Sequence, residues 1–273
     1  GISLYEPEEL VITMGAATPM SEIQAALAEA DQHLAFEPPD YDHVLGRTGG
    51  GATIGGVIAC NLSGPRRITG GAARDHVLGI AAISGRGDAF KSGGRVVKNV
   101  TGYDLSKLMA GSMGTLGVMT EVTLKTLPRP KETRTVVILG VDAETGLKAL
   151  EQTAGSQAEA TGLAFLPKLQ SARSAVSVVS AADSVTAMRL EGAGTSVADR
   201  AAALAAQHID ADVQILEHED SLSLWAEIRD AKLMPPSGAL WRLSLPPASA
   251  AQVTARIGAT CDVECLFDWA GGL

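Results

Sequence analysis

Residues 49–71 read GGGATIGGVIACNLSGPRRITGG, eight glycines around one short apolar run from Ile54 to Leu62. No long regular helix tolerates that spacing, because each interior glycine costs about 1 kcal/mol relative to alanine. Glycine instead lets backbone approach another group closely and reach positive φ. Backbone N–H groups exposed in that way, beside Arg66 and Arg67, are the makings of an anion cradle. Taken alone, the plainer reading of the run is an ordinary glycine-rich loop.

The familiar nucleotide motifs do not account for it. A G-x-G-x-x-G fingerprint begun at Gly49 needs glycine where Ile54 stands, and a G-x-x-x-x-G-K-[ST] loop fails because the chain contains no Gly-Lys pair. A phosphate-bearing cofactor bound here is held by another fold.

Outward from this run, Glu9–Ala16 predicts a strand, and Thr18 followed by Pro19 predicts a helix with a threonine N-cap and proline at its first position. Ile23, Leu27 and Ala30 supply that helix's apolar stripe. Pro38-Pro39 stops regular structure ahead of the glycine run. Val77–Ile83 predicts a buried strand, turned by Gly85-Arg-Gly-Asp88 into a return strand; that turn chemistry is a better account of Arg86-Gly87-Asp88 than an adhesion motif. The loop Gly111-Ser-Met-Gly-Thr-Leu-Gly117 feeds a strand in which Val118, Val122 and Leu124 are spaced for one face. Pro128-Arg-Pro130 closes the unit, and a domain boundary is expected there, giving domains 1–130 and 131–273.

The second part alternates short strands and helices. Strands are expected at Thr133–Val141, Leu163–Leu166, Ala175–Val179, Val185–Leu190, Val213–Leu216, Ala239–Leu245 and Val263–Phe267. Helices are expected after an Asp142 N-cap, and at Val197–His208, Ser221–Ala231 and Ser249–Ile257. Without glycine-rich βα turns, this pattern predicts an α+β domain on an antiparallel sheet.

Composition narrows the function classes. With 273 residues, 46% apolar and 19% charged, the chain is globular and long enough for two cores. A net charge of −9 argues against nucleic acid as a partner, with Arg66–Arg67 and Lys91–Lys98 the only local basic patches to consider. No apolar stretch reaches the roughly 18–20 residues of a transmembrane segment. Cys60, Cys261 and Cys265 are too few for a disulfide framework or an iron–sulfur cluster. Cys261 and Cys265 are expected to point into a core from one strand, Cys60 is expected to be a small buried hydrophobe, and the odd count fits a reducing, cytoplasmic setting.

His33, His43, His76, His208 and His218 lack metal-binding spacing, so no metal site is expected. His76 is expected to pack or hydrogen-bond at a strand start, and His218 to begin a helix or lie in a solvated turn. Asp104 is read as a helix cap. Lys98 and Asn99 suit a phosphate or carboxylate, or simply a surface loop. Arg66 and Arg67 suit a partner subunit or an acid substrate. No catalytic residue can be assigned.

Three blocks carry a family resemblance: Phe36-Glu-Pro-Pro39, Thr53-Ile-Gly-Gly-Val-Ile-Ala-Cys-Asn-Leu-Ser-Gly-Pro-Arg-Arg67, and Gly93-Gly-Arg-Val-Val-Lys-Asn-Val-Thr-Gly-Tyr-Asp-Leu-Ser-Lys-Leu108, continued by Gly71–Gly79 and Gly111–Pro130. The chain resembles the FAD-binding PCMH-type flavoproteins of the vanillyl-alcohol oxidase superfamily, and within them the E-type subunits of glycolate oxidases. The match is dense from Ile2 to Pro130 and thin beyond.

The resemblance implies an α+β chain: the second subdomain of a PCMH-type FAD-binding domain in residues 1–130, then a ferredoxin-like cap domain in 131–273, with both ends truncated and the first pyrophosphate loop missing. It implies noncovalent FAD, with Thr53, Ile54, Gly55 and Gly56 toward the adenosine diphosphate portion. Asn61, Ser63 and Gly64 would lie near the ribityl chain or pyrophosphate, with Pro38 on the flavin side and Val118 contributing backbone. It implies a flavin-based electron-transferring subunit of a complex oxidising a small 2-hydroxy acid, beside a related catalytic flavoprotein subunit and an iron–sulfur subunit, cytoplasmic or peripheral at the inner face of the membrane. Two alternatives stay open: a stand-alone FAD-dependent 2-hydroxy-acid dehydrogenase of the lactate type, and a flavin-free scaffold.

Overall fold

The computed structural model describes residues 1–47, 50–94, 102–236 and 238–273; Lys98 and Asn99 lie outside them. Its contacts divide the chain into two units, 1–42 with 47–129, and 43–46 with 130–273.

The first unit is built on a five-stranded antiparallel sheet, ordered Ile2–Glu6, Val11–Gly15, Gly117–Lys125, Val77–Ser84, Ala89–Gly93. Alternation along these strands sends Ile12, Met14, Ile80, Val122 and Leu124 into one core with Ile23 and Leu27 of helix Met20–Glu29 and Ile54, Val57 and Ile58 of helix Ile54–Ala59. The Val77–Ser84 and Ala89–Gly93 hairpin turns where expected. Gly87 takes φ +88°, and the Ser84 amide donates to the Asp88 carbonyl at 2.9 Å.

The helix after Thr18 begins one residue later than expected. Pro19, with φ −62° and ψ 143°, is the N-cap, and no side chain caps the helix. A neighbouring segment takes over: the Met20 amide donates to the Ala52 carbonyl, and the Thr18 carbonyl accepts from the Ile54 amide. Main chain from residues 52–54 thus supplies what a local side-chain cap would have supplied.

The second unit holds a four-stranded antiparallel sheet ordered Asp212–Leu216, Glu132–Leu139, Ser184–Gly192, Gly162–Pro167. Helix Ala143–Ala154 follows the first strand in sequence and helix Gly194–Ala206 follows the third. This βαββαβ succession is the ferredoxin-like arrangement. Asp142 caps the first helix by accepting the Thr145 amide at 2.8 Å, and Leu147 and Leu150 are buried. Helix His218–Arg229 covers the other sheet face, packing Leu224, Trp225 and Ile228 on Val137, Ala164, Val185 and Ala187. Arg189, only 1% exposed, stacks over Trp225 at 4.6 Å and is neutralised by Glu191.

Three expected strands fail here. Residues 175–179 turn instead into the short helix Ser177–Ser180, because Val176 and Val179 both reach the core at helical spacing. Residues 239–245 alternate like a strand, yet among the described residues nothing pairs alongside 239–244, and only the Leu245 amide finds a backbone partner, at Gly272. Residues 263–267 pair at Phe267 alone, against Phe165. With no shared strand there, Cys261 is exposed and Cys265 half-buried rather than together in a core; Cys60 too is only half-buried.

Candidate functional site

The resemblance-derived residues gather around one short element of the first unit, helix Ile54–Ala59. At its start, Thr53 Oγ1 accepts the Gly56 amide at 3.4 Å. The Ile54 amide donates to the Thr18 carbonyl at 3.1 Å and the Gly55 amide to the Ala16 carbonyl at 2.8 Å. A methyl group on Gly55 would stand 2.7 Å from that same Ala16 oxygen. Gly55 is therefore demanded by packing on the end of a strand, and the helix start spends its N–H groups on protein carbonyls. Gly56 is the exposed residue of the turn.

At the other end the chain leaves the helix through Asn61, in the left-handed region at φ +48°. Asn61 Oδ1 accepts the Arg74 amide and buried Ser63 Oγ accepts the Ala73 amide, both at 2.9 Å. These two side chains hold the start of the short helix Ala73–His76. The Gly64 amide donates to the Phe36 carbonyl at 2.9 Å, which brings Asn61–Gly64 to the Phe36–Pro38 segment, where Pro38 is buried.

The loop before Val118 docks on the same helix. The Gly111 amide donates to the Ile58 carbonyl at 3.0 Å and the Met113 amide to that of Ala59 at 2.8 Å. Gly111 and Gly114 both have positive φ, and around Gly114 the space is open. Val118 is 66% exposed and sits opposite Ile83, itself 40% exposed, in the sheet register. Leu116 and Met113, in the loop before Val118, are exposed too. The Ser112 hydroxyl is buried and has no hydrogen-bond partner among the described residues.

Several charged and titratable groups prove to be committed internally. Arg66 pairs with buried Glu37 at 3.5 Å, and its amide donates to the same carboxylate at 3.0 Å. That internal pairing does not suit the role of binding an acid substrate or partner. His76 Nε2 meets the Gly70 carbonyl at 2.7 Å, and the ring lies 5.5 Å from that of Phe36. Burial holds the His76 pKa below its ordinary value, against the opposing effects of the Gly70 carbonyl and Asp75. Asp104 caps helix Leu105–Met109, and hydrogen bonds from the Ser106 hydroxyl and Lys107 amide keep its carboxyl below the usual range. Among the described residues, no three His, Cys, Asp or Glu side chains converge as metal ligands would.

Sequence reasoning missed Ser112, Gly111 and Lys107. All three sit inside the blocks that carry the resemblance, but their roles depend on which loop docks on which helix.

No family model matches the chain. Glycolate oxidase subunit GlcE of Escherichia coli is 38% identical over 275 residues, an alignment covering 100% of this chain and 67% of that protein. The chain belongs to the GlcE family. Further relatives match about half of it: glycolate oxidase subunit GlcD of Bacillus subtilis, 34% identical over 48% of this chain and 27% of that protein, and a D-lactate dehydrogenase of Anaerostipes hadrus, 33% identical over 49% and 26%. Alkyldihydroxyacetonephosphate synthase shares the fold with a TM-score of 0.63 at 15% identity, covering 85% of this chain and 44% of that one. p-Cresol methylhydroxylase does so with 0.60 at 12%, covering 84% and 50%. The GlcE-family chain thus has the α+β, PCMH-type fold.

The residues present suit FAD, though unevenly. The exposed pair Ile83 and Val118 is apolar, the Gly114 turn leaves backbone approachable, and the orphaned Ser112 hydroxyl offers a polar contact. The amides of Ile54 and Gly55, already bonded, have little left for a phosphate.

Proposed function

We propose that this chain is the FAD-holding subunit of a glycolate-type 2-hydroxy-acid oxidase, passing electrons beside a related catalytic flavoprotein subunit and an iron–sulfur subunit, in the cytoplasm or at the inner membrane face. One observation carries the reading. Similarity to GlcE runs the whole chain, whereas similarity to GlcD and to the D-lactate dehydrogenase stops at about half of it. A chain built like the substrate-oxidising relatives would match them throughout. No helix among the described residues is long and apolar enough to cross a membrane.

In this reading, Gly114–Val118 and Ser112 would hold FAD on one side of helix Ile54–Ala59. Pro38 and Asn61–Gly64 would hold it on the other, and Thr53–Gly56 would act as the packed hinge between. FAD, when bound, supplies reversible hydride and electron chemistry. The residues here orient the cofactor and keep water from one edge of it; none is assigned a proton transfer.

The test is anaerobic mixing of the FAD-loaded chain with glycolate, with and without a catalytic GlcD-type subunit, following the flavin absorbance. Bleaching that requires the second subunit, and exceeds what that subunit's own flavin accounts for, supports an electron-transferring role. Bleaching by glycolate with this chain alone overturns it in favour of a stand-alone dehydrogenase.

A further inference from the structure

We propose that Lys107 is a positioning residue for the cofactor loop Asn61–Gly64; the inference rests on the flavin reading above. Helix Leu105–Met109 starts at Asp104, whose Oδ1 accepts from the Lys107 amide at 3.1 Å and the Ser106 hydroxyl at 2.5 Å. That cap fixes where the helix begins and therefore where its lysine points. Lys107 Nζ then donates to two carbonyls of a different segment, Arg74 at 2.7 Å and Val77 at 2.8 Å.

Arg74 is thereby held from both ends of its own backbone. Its carbonyl receives the Lys107 ammonium, and its amide donates to Asn61 Oδ1. One residue earlier, the Ala73 amide donates to Ser63 Oγ. The ammonium is thus two bonded contacts away from the loop that leaves helix Ile54–Ala59. Hydrogen bonds from a charged donor are stronger than neutral ones, and their geometry fixes the groups they reach. Burial lowers the proton affinity of Lys107, while Asp104 and Asp75 oppose that effect. Outer contacts of this kind set the orientation of groups that touch a bound molecule.

The experiment compares the wild type, Lys107→Met, Lys107→Arg and a control, Lys148→Met, on an exposed face of the second unit. FAD affinity is read by flavin fluorescence well below the melting temperature. Hydrogen exchange is read at the Ala73 and Arg74 amides. Lys107→Met is expected to weaken FAD about tenfold, the effect of losing the charged hydrogen bond to the Arg74 carbonyl, and to speed exchange at both amides. Lys107→Arg should restore most of each, and Lys148→Met should change neither. A Lys107→Met protein that melts lower yet binds FAD within about twofold of wild type, on the same scale, overturns the proposal, because the lysine would then serve stability alone. Lys107→Gln, which keeps a donor, replaces Lys107→Met if the latter does not fold. If the wild type itself binds no FAD, the flavin reading fails, and exchange still decides the clamp: faster exchange at Ala73 and Arg74 supports it, unchanged exchange overturns it.

Discussion

The side-chain oxygen of Asn61 accepts the backbone amide of Arg74 at 2.9 Å, while Asn61 itself occupies the left-handed region at φ +48°. Asparagine suits both demands, since it tolerates that backbone conformation and carries a short acceptor. Asn61→Ala removes the acceptor and leaves a Cβ in a disfavoured conformation, so a loss of about 1–3 kcal/mol is expected in chemical denaturation. Asn61→Gly relieves the backbone and should lose less. Equal losses for the two would show that conformation contributes nothing.

Adjacent glycines in helix Ile54–Ala59 should respond oppositely to alanine. A methyl on Gly55 would stand 2.7 Å from the Ala16 oxygen and 2.8 Å from its Cβ, whereas on Gly56 its nearest neighbour is Thr53 Oγ1 at 3.5 Å. Gly55→Ala is expected to destabilise by about 1–3 kcal/mol through overpacking. Gly56→Ala should be neutral or gain up to about 1 kcal/mol from helix propensity. Melting temperatures of the two variants check the contrast.

Gly146 does the same service in the second unit. It lets helix Ala143–Ala154 lie against the sheet, where a methyl would come within 2.5 Å of the Phe165 ring and 2.6 Å of Thr186 Oγ1. Gly146→Ala should cost about 1–3 kcal/mol, and pairing it with Thr186→Ala or Phe165→Leu should give a smaller combined loss than the sum.

Acid should weaken the first unit through His76. Burial lowers its folded pKa below the value near 6.5 expected of an unfolded chain. The unfolded state therefore binds the proton first, so stability is intact above that value and falls as pH drops through it. The loss levels off once pH passes below the folded pKa. His208, in the second unit, is lowered by burial too and acts on that unit with the same sign. The check is thus a difference: His76→Gln should show a shallower decline than wild type between neutral and mildly acidic pH, and identical slopes would contradict the assignment.

Local features were legible from the residues themselves. Asp104 and Asp142 each cap the helix that follows, and the Val77–Ser84 strand turns where Gly87 and Asp88 permit. What sequence could not reveal depended on distant chain. Thr18 does not cap because the Ala52 carbonyl already meets the helix start. Residues 239–245 alternate correctly, but alternation does not supply a neighbouring strand. At the site, glycines that look alike in sequence divide by surroundings, Gly55 packed on Ala16 and Gly114 open. Lys107 shows its target only once residues 74–77 are placed beside it.

The proposed FAD site of the first unit lies beside Val118. The most direct measurement is an FAD titration followed by flavin fluorescence, on wild type and on Val118→Glu, a change at an exposed position, with circular dichroism used to check that the variant folds. Saturable quenching by wild type, lost or much weakened in Val118→Glu, is the predicted result. Equal binding by both proteins, or none by wild type, would contradict it.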